Sequence, residues 1–321
     1  MNHDVVGRRT FLKAAGVTAL AAAGAMGAQE SRAQSVPNST GTEAPSLKAP
    51  AGACDCHHHI YDERFPPGGP TARLMTNASV AEYRLLQRRI GTSRSVVVTP
   101  SAYGLRNDVT VDAIAQLGPN VTRGVAVVQP TITDAELKRL HEAGIRGIRF
   151  TLFDPKTAVT SVDMIEPLAA RVSQLGWHVQ IHMRGDQIAD AADLLLRLPA
   201  TIVFDHLGRL PQPAGILHPA FAVIRRLLDK GKTWVKLSGA YQDTKVGPPT
   251  YADTVAVARA YVQAAPERMV WGSDWPQPTE KEKPNDAVLF DLLATWAPDE
   301  AVRRRILVEN PTVLYGFPKA S

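Results

Sequence analysis

From residue 53 onward, short apolar runs alternate with longer stretches in which apolar residues recur at i, i+3 and i+4. The first pattern predicts buried β-strands and the second predicts amphipathic helices. The predicted strands are residues 53–59, 95–99, 124–129, 147–151, 178–183, 201–206, 233–238 and 268–274. The predicted helices are residues 80–90, 134–143, 162–175, 187–198, 219–230, 251–264, 287–296 and 299–308.

Several of these strands are apolar on both faces, such as Ser-Val-Val-Val at 95–98 and Thr-Ile-Val-Phe at 201–204. This is typical of parallel strands that helices cover on both sides. Eight strand–helix units between residues 53 and 318 predict an α/β fold, a (β/α)8 TIM barrel formed by a single domain. A doubly wound sheet is the alternative, but no Gly-x-Gly-x-x-Gly follows any of the strands.

The N-terminus has the features of a targeting segment. An arginine pair within Gly-Arg-Arg-Thr-Phe-Leu-Lys is followed by an Ala/Gly-rich apolar stretch. Ser31 and Ala33 then provide small residues at the −3 and −1 positions of a cleavage site. This order predicts a twin-arginine signal peptide over residues 1–33, export by the twin-arginine machinery, and a periplasmic or secreted protein. An ordinary buried alanine-rich helix is the alternative. Residues 34–52 are rich in Ser, Thr and Pro, which predicts a flexible linker.

Composition narrows the class of protein. Hydrophobic residues make up 45% and charged residues 21% of 321 residues, which is the balance of a globular protein. Two cysteines exclude a disulfide scaffold, and no apolar run reaches the roughly 18 residues of a membrane span. The net charge is +5, and the basic residues are dispersed along the chain among acidic ones. This distribution does not indicate a basic stripe that would bind nucleic acid.

Polar residues occur at the predicted C-terminal ends of the strands, which is where barrels of this kind have their active sites. His57 and His59 end the first strand, His182 the fifth and His206 the sixth, and Asp274 ends the eighth. Imidazoles with one carboxylate are the ligand set of a catalytic divalent ion. Strict alternation along the first strand places Asp55 on the face of His57 and His59, and directs both cysteines toward the helices.

Two motifs at these residues resemble those of a known family. Asp-x-His-x-His occurs at 55–59 and Gly-Ser-Asp-Trp-Pro at 272–276. Together with residues 144–150, 203–209 and 309–311, they resemble the amidohydrolase superfamily. Within it they are most similar to the lactonase group of the amidohydrolase 2 family, which contains 2-pyrone-4,6-dicarboxylate lactonase and D-galactarolactone isomerase. The resemblance covers residues 53–317.

The resemblance implies a role for individual residues. His57 and His59 would occupy the metal-site position of the first strand, and His206 would polarise the substrate carbonyl. Asp274 would take a proton from the hydrolytic water. Arg149, on the fourth strand, matches an arginine that binds a substrate carboxylate, and it leaves no Lys or Glu there to bridge two ions.

The resemblance leaves the metal open between two possibilities. Some members bind one zinc ion through the first-strand histidines, the fifth-strand histidine and the eighth-strand aspartate, and His57, His59, His182 and Asp274 provide that set here. The pyrone lactonase resembles a metal-free enzyme and has a tyrosine where His182 stands. We predict one divalent ion, Zn²⁺ or a similar ion, with the metal-free mechanism as the alternative.

The predicted activity is hydrolysis of a lactone of a sugar acid or of a muconate-type carboxylic acid. The partner would be a small anionic lactone or carboxylate. Tyr241 and Trp275 are candidate walls of the substrate pocket, and for both the alternative is ordinary packing. A metal-dependent non-oxidative decarboxylase, a lactone isomerase and a non-enzymatic binding protein are the other readings. The sequence contains no Gly-x-Ser-x-Gly motif, so a serine hydrolase is not indicated.

Overall fold

The computed structural model describes residue 1, residues 35–68 and residues 74–318. The predicted signal peptide therefore lies outside the described residues, apart from Met1. Eight parallel strands pair in sequential order from β1 to β8, which confirms a parallel sheet and contradicts the doubly wound alternative. The strands are β1 Cys54–His58, β2 Arg94–Val98, β3 Thr122–Ala126, β4 Ile145–Thr151, β5 His178–His182, β6 Thr201–Phe204, β7 Thr233–Leu237 and β8 Met269–Trp271.

Helices connect the strands and form the outer layer, as in a (β/α)8 barrel. Within the described residues the α-helices are α1 Val80–Ile90, α2 Asp108–Leu117, α3 Asp134–Glu142, α4 Ile165–Ser173, α5 Gly185–Asp190, α6 Ala192–Arg197, α7 Pro219–Asp229, α8 Ala240–Asp243, α9 Val255–Ala264, α10 Asp286–Trp296, α11 Glu300–Arg304 and α12 Asn310–Tyr315. The helix predicted at 187–198 is divided because Ala191 leaves the helical conformation. The helix predicted at 299–308 continues from α11 into a π-helical turn, Arg305–Glu309.

Helix α1 shows how local sequence sets these boundaries. Ser79 caps its N-terminus in a capping box with Glu82, and Gly91 ends the helix at φ 90°, where a residue without a side chain is favoured. The apolar face buries Tyr83 and Leu86. This burial fixes α1 beside β1, where Tyr83 contacts residues that border the candidate site.

The alternation predicted for β1 is wrong at its centre. The pairing of β1 with β2 shifts register between Asp55 and His58, as at a β-bulge. Asp55 consequently bonds Tyr83 of the outer helix α1. Cys54 and Cys56 pack inside the barrel, in a cluster with Val96, Val98, Val125, Val203, Trp234, Val270, Tyr315 and Phe317.

No regular backbone ladder is recorded between β1 and β8 in the described residues, so this seam closes by other contacts. The Asp55 carboxylate accepts hydrogen bonds from the Ser273 backbone N–H at 2.9 Å and from the Ser273 hydroxyl at 2.6 Å. After the end of β8, the Asp274 N–H donates to the His57 carbonyl of β1 at 2.7 Å, and the Trp275 carbonyl accepts from the His59 N–H at 2.8 Å. The seam is therefore fixed mainly at its C-terminal end.

The segment predicted as a flexible linker packs against this seam. We call residues 36–47 the N-terminal strap. Val36 is buried, the Pro37 carbonyl accepts a hydrogen bond from the Trp275 indole, and the Leu47 N–H donates to Asp291 of α10. Composition alone gave no indication of these contacts. No helix among the described residues is long and apolar enough to cross a membrane.

Candidate active site

Three predicted site residues form a compact triangle at the C-terminal end of the barrel. The Nε2 atoms of His57 and His59 lie 3.3 Å apart. Asp274 Oδ1 lies 3.4 Å from the first and 3.5 Å from the second. All three side chains are buried. The sequence prediction that β1 and the residues after β8 converge on one pocket thus agrees with the geometry.

Backbone features bring the triangle together. Gly272 packs so closely on β1 that a Cβ there would lie 2.7 Å from the His57 Cβ, so a side chain would push the two segments apart. Asp274 has φ 61°, in the left-handed region that non-glycine residues rarely adopt. Such a conformation persists only where the surroundings fix it. Here the Asp274 N–H is held by the His57 carbonyl.

The second oxygen of Asp274 faces three further groups. Oδ2 accepts hydrogen bonds from the Tyr241 hydroxyl at 2.5 Å and from the Gln242 amide at 2.8 Å, and it lies 3.7 Å from His206 Nε2. Burial alone would raise the pKa of Asp274, but the neighbouring imidazoles of His206, His59 and His57 outweigh it and hold that pKa well below the usual value. The carboxylate is therefore ionised and able to act as a base.

His206 is oriented by the neighbouring strand. Its Nδ1 lies 2.9 Å from the Ser238 hydroxyl, and its φ of 48° turns the ring toward Asp274. Gly239, at φ 64°, leaves room for the ring, because a Cβ there would lie 2.8 Å from the His206 Cβ. Burial lowers the pKa of His206 to about 4, so the ring is neutral at pH 7 and carries a single N–H.

His182 lies apart from the triangle. Its Nε2 is 3.0 Å from Arg209 Nη1. Because a guanidinium only donates, this nitrogen accepts the bond. Arg209 is itself paired with Asp243 at 2.7 Å and lies over the Phe153 ring. In the part of the chain that the structure describes, His182 belongs to no group of three or more potential metal ligands whose ligand atoms all lie within 4.8 Å of one another. No role for Arg209 was predicted from the sequence.

The triangle fits a tetrahedral metal ion. Zinc bonds to nitrogen and oxygen of about 2.0–2.1 Å at tetrahedral angles place ligand atoms about 3.3 Å apart, close to the three distances observed. The His59 Nδ1 lies 2.7 Å from the Val98 carbonyl, which can only accept. In the tautomer that this bond selects, Nδ1 carries the proton and the Nε2 lone pair points into the triangle. His57, His59 and Asp274 are thus suited to hold one ion.

A network of buried charged residues contacts His57 through Nδ1, the ring nitrogen that does not face the triangle. His57 Nδ1 lies 3.2 Å from Asp205 Oδ1 and 3.1 Å from Lys236 Nζ. Lys236 also donates to Gln180 at 2.7 Å. Arg149 Nε donates to the other Asp205 oxygen at 2.9 Å. Burial would raise the pKa of Asp205, but His57, Arg149 and Lys236 hold it well below its usual value. Neither Lys236 nor Asp205 was predicted from the sequence to belong to the site.

The two candidate pocket walls differ in their surroundings. Tyr241 bonds Asp274 through its hydroxyl, and burial with that carboxylate raises the pKa of Tyr241 well above its usual value. Trp275 is fully buried, packs near Tyr83 and donates its indole N–H to the Pro37 carbonyl at 2.8 Å. This placement favours the packing alternative for Trp275.

Comparison with known proteins agrees with the geometry. A family model described as amidohydrolase matches residues 54–317. A 2-pyrone-4,6-dicarboxylate hydrolase of Comamonas testosteroni is 35% identical over 282 residues, 84% of this chain and 92% of the relative. A 4-sulfomuconolactone hydrolase of Rhizobium radiobacter is 33% identical over 280 residues, 84% of this chain and 92% of the relative.

The fold also matches solved structures. A crystal structure of an Agrobacterium tumefaciens protein superposes with a TM-score of 0.81 at 29% identity, covering 88% of this chain and 99% of that one. The resemblance found in the two sequence motifs is thereby confirmed across the whole barrel. With its motifs at the C-terminal ends of eight parallel strands, this chain belongs to the amidohydrolase family.

Proposed function

We propose that this protein hydrolyses the ester bond of a small anionic lactone. The observation that carries the proposal is the placement of ionised Asp274 between the imidazoles of His57 and His59 and the neutral imidazole of His206. A carboxylate base beside a neutral N–H donor suits water attack on an ester carbonyl. The relatives named as hydrolases of 2-pyrone-4,6-dicarboxylate and 4-sulfomuconolactone support a lactone that carries acidic groups.

In the proposed reaction, Asp274 removes a proton from a water molecule as the water oxygen bonds to the carbonyl carbon. The N–H of His206 stabilises the negative charge that develops on the carbonyl oxygen. The ring carbon–oxygen bond then breaks, and Asp274 returns the proton to the departing oxygen. The new carboxylic acid releases the second proton of the water to solvent, so the products are a carboxylate and an alcohol or enol on one open chain. Tyr241 and Gln242 hold the carboxylate of Asp274 for both transfers.

One divalent ion, Zn²⁺ or a similar ion, is part of the proposal, and His57, His59 and Asp274 would hold it. When bound, such an ion supplies Lewis acidity and lowers the pKa of a coordinated water. Asp205 beside His57 Nδ1 is the arrangement that commonly orients a ligating histidine. His182 would join as a fourth ligand only by leaving Arg209.

Arg149 is the proposed anchor for the acidic group of the substrate. Its side chain is 4% exposed, and Nε is engaged by Asp205. No hydrogen bond is recorded for its two terminal nitrogens within the described part of the chain. A guanidinium with free donors matches the fork geometry of a carboxylate or sulfonate.

We also propose that the mature protein works in the periplasm or outside the cell, since the twin-arginine motif precedes the barrel.

The test is a product-resolved assay on the purified protein. Lactones of sugar acids, muconolactones and pyrone carboxylates are offered with a pH indicator, and products are identified by mass spectrometry. We expect proton release with addition of one water to the substrate. A product of unchanged mass would indicate lactone isomerisation, and loss of CO₂ would indicate decarboxylation; either result in place of hydrolysis would contradict the proposal.

A further inference from the structure

The N-terminal strap crosses the outside of the seam at which the active site is built. The Asn38 amide donates to the Asn77 carbonyl ahead of α1 at 2.8 Å. The Thr40 N–H donates to the Pro284 carbonyl at 3.1 Å, ahead of α10. The strap therefore joins the segments that flank β1 to those that follow β8. His57 and His59 lie on one side of this seam and Asp274 on the other.

Arg89 of α1 anchors the centre of the strap. Its guanidinium donates to the Glu43 carbonyl at 2.8 Å and to the Thr40 carbonyl at 3.1 Å. It also donates to the Ser39 hydroxyl and to Asn285 Oδ1. The side chain is 8% exposed. One buried cation thus holds the strap against both α1 and the start of α10.

Trp275 links the strap to the catalytic base. Its indole N–H donates to the Pro37 carbonyl at 2.8 Å, while its own carbonyl accepts from the His59 N–H. It directly follows Asp274, whose φ of 61° is maintained by its surroundings. A displacement of the Trp275 ring would be transmitted through one peptide unit to Asp274 and through one hydrogen bond to His59.

We propose that the N-terminal strap is a positioning element of the active site, acting through Trp275 to set the placement of Asp274 against His57 and His59. Strap residues touch none of the reacting groups, so they are positioning residues. The kinetic part of the inference rests on the proposed function. Its structural part, that the strap holds the seam together, does not.

Arg89→Met and Trp275→Phe test the proposal in the full-length mature protein. The first releases the strap at its centre, and the second removes the link to Pro37 while keeping an aromatic ring. We expect each to lower kcat by about fivefold to thirtyfold, because small misplacements of catalytic groups are costly. KM should change by less than about threefold, since the substrate-binding groups are untouched.

Arg94→Met is the matched control. Arg94 is 7% exposed and holds terminal segments through the Gly52 carbonyl, the Val308 carbonyl and the Thr312 hydroxyl. It begins β2, at the end of the barrel opposite the site. We expect a loss of thermal stability similar to that of Arg89→Met, with kcat unchanged. Equal kcat values in Arg89→Met and Arg94→Met at equal Tm would overturn the proposal.

Two further measurements distinguish positioning by the strap from a role of Trp275 as a wall of the substrate pocket. If Trp275 is a substrate wall, Trp275→Phe raises KM while Arg89→Met leaves kinetics unaltered, which contradicts positioning by the strap. Hydrogen exchange followed by mass spectrometry provides a readout independent of activity. We expect faster exchange at the Asp274 and His59 amides in the two strap variants and native rates in Arg94→Met. That result would support the strap even if no lactone were hydrolysed, and unchanged exchange in all variants would overturn it.

Discussion

His57 and His59 present their Nε2 atoms to each other at 3.3 Å in a buried pocket. Because His59 carries its proton on Nδ1, its Nε2 offers a lone pair. A lone pair at this distance from the other imidazole requires either a proton on His57 or a cation between the rings. The His57 Nδ1 faces both an acceptor, Asp205, and a donor, Lys236, so its surroundings are compatible with either arrangement.

The metal content distinguishes these arrangements. We expect about one divalent ion per chain in the purified protein, and exhaustive chelation should lower kcat by at least about a hundredfold, restored by Zn²⁺. His59→Gln should lose the ion, because it removes one vertex of the triangle. His218→Asn, at a surface helix cap, is the control. Full activity after chelation would instead establish the metal-free alternative.

His182→Gln separates the triangle from the four-ligand set predicted from sequence. In the structure His182 Nε2 accepts from Arg209 and lies outside the triangle. We therefore expect the metal stoichiometry to stay at about one per chain in this variant. Elemental analysis of the dialysed protein measures it. Loss of the ion together with loss of activity would show that His182 turns from Arg209 to the metal on binding.

Asp274→Asn should reduce kcat by about 10² to 10⁴, the usual contribution of a general base. The amide keeps the size of the side chain, so the unfolding midpoint should change little. Steady-state kinetics with circular dichroism melting measures both. Asp112→Asn is the control, since this half-buried carboxylate pairs only with Arg64 and Gln116 among the described contacts. Comparable kcat values for the two variants would exclude Asp274 as the base.

Arg149→Lys keeps a positive charge but loses the planar fork. We expect KM for a carboxylated lactone to rise by about tenfold or more, with little change for an uncharged lactone of similar size. Lysine retains a partner for Asp205, so the buried charge remains compensated. Kinetics with the paired substrates decides the point. A KM that rises equally for both lactones would indicate a structural role for Arg149.

Much of the fold could be predicted from the sequence because burial imposes a period on it. All eight strands occur where apolar runs predict them, and parallel strands bring His57, His59 and Asp274 to one end whatever the details of the loops. The β-bulge at residues 55–58 was not predictable from alternation, since it breaks that alternation. The pairing of Arg209 with His182 depends on loop paths that periodicity does not describe.

Asp286 should make the stability of the folded protein depend on pH. It is fully buried at the start of α10, and burial raises its pKa from 3.8 to about 7. Between about pH 4 and pH 7 the unfolded chain releases this proton while the folded protein retains it, so folding loses stability as pH rises through this range and regains it on acidification.

Asp286→Asn removes this penalty. We expect the variant to be more stable than the parent protein at pH 8, by up to about 4 kcal/mol at about 1.4 kcal/mol per pKa unit. The difference should shrink toward zero near pH 4. Urea unfolding at pH 4.5 and pH 8 measures it. Asp193→Asn, at an exposed position of α6, tests whether any carboxylate change has this effect. A stability difference independent of pH would contradict the assignment.

The two cysteines inside the barrel bear on the proposed export. Cys54 and Cys56 are free and fully buried, walled off from solvent by strands and by Tyr315 and Phe317. A chain secreted unfolded would expose both thiols to the oxidising chemistry of the cell envelope. Export in the folded state, as proposed, would carry both thiols across the membrane shielded, and the barrel would then need neither an oxidase nor an isomerase to mature.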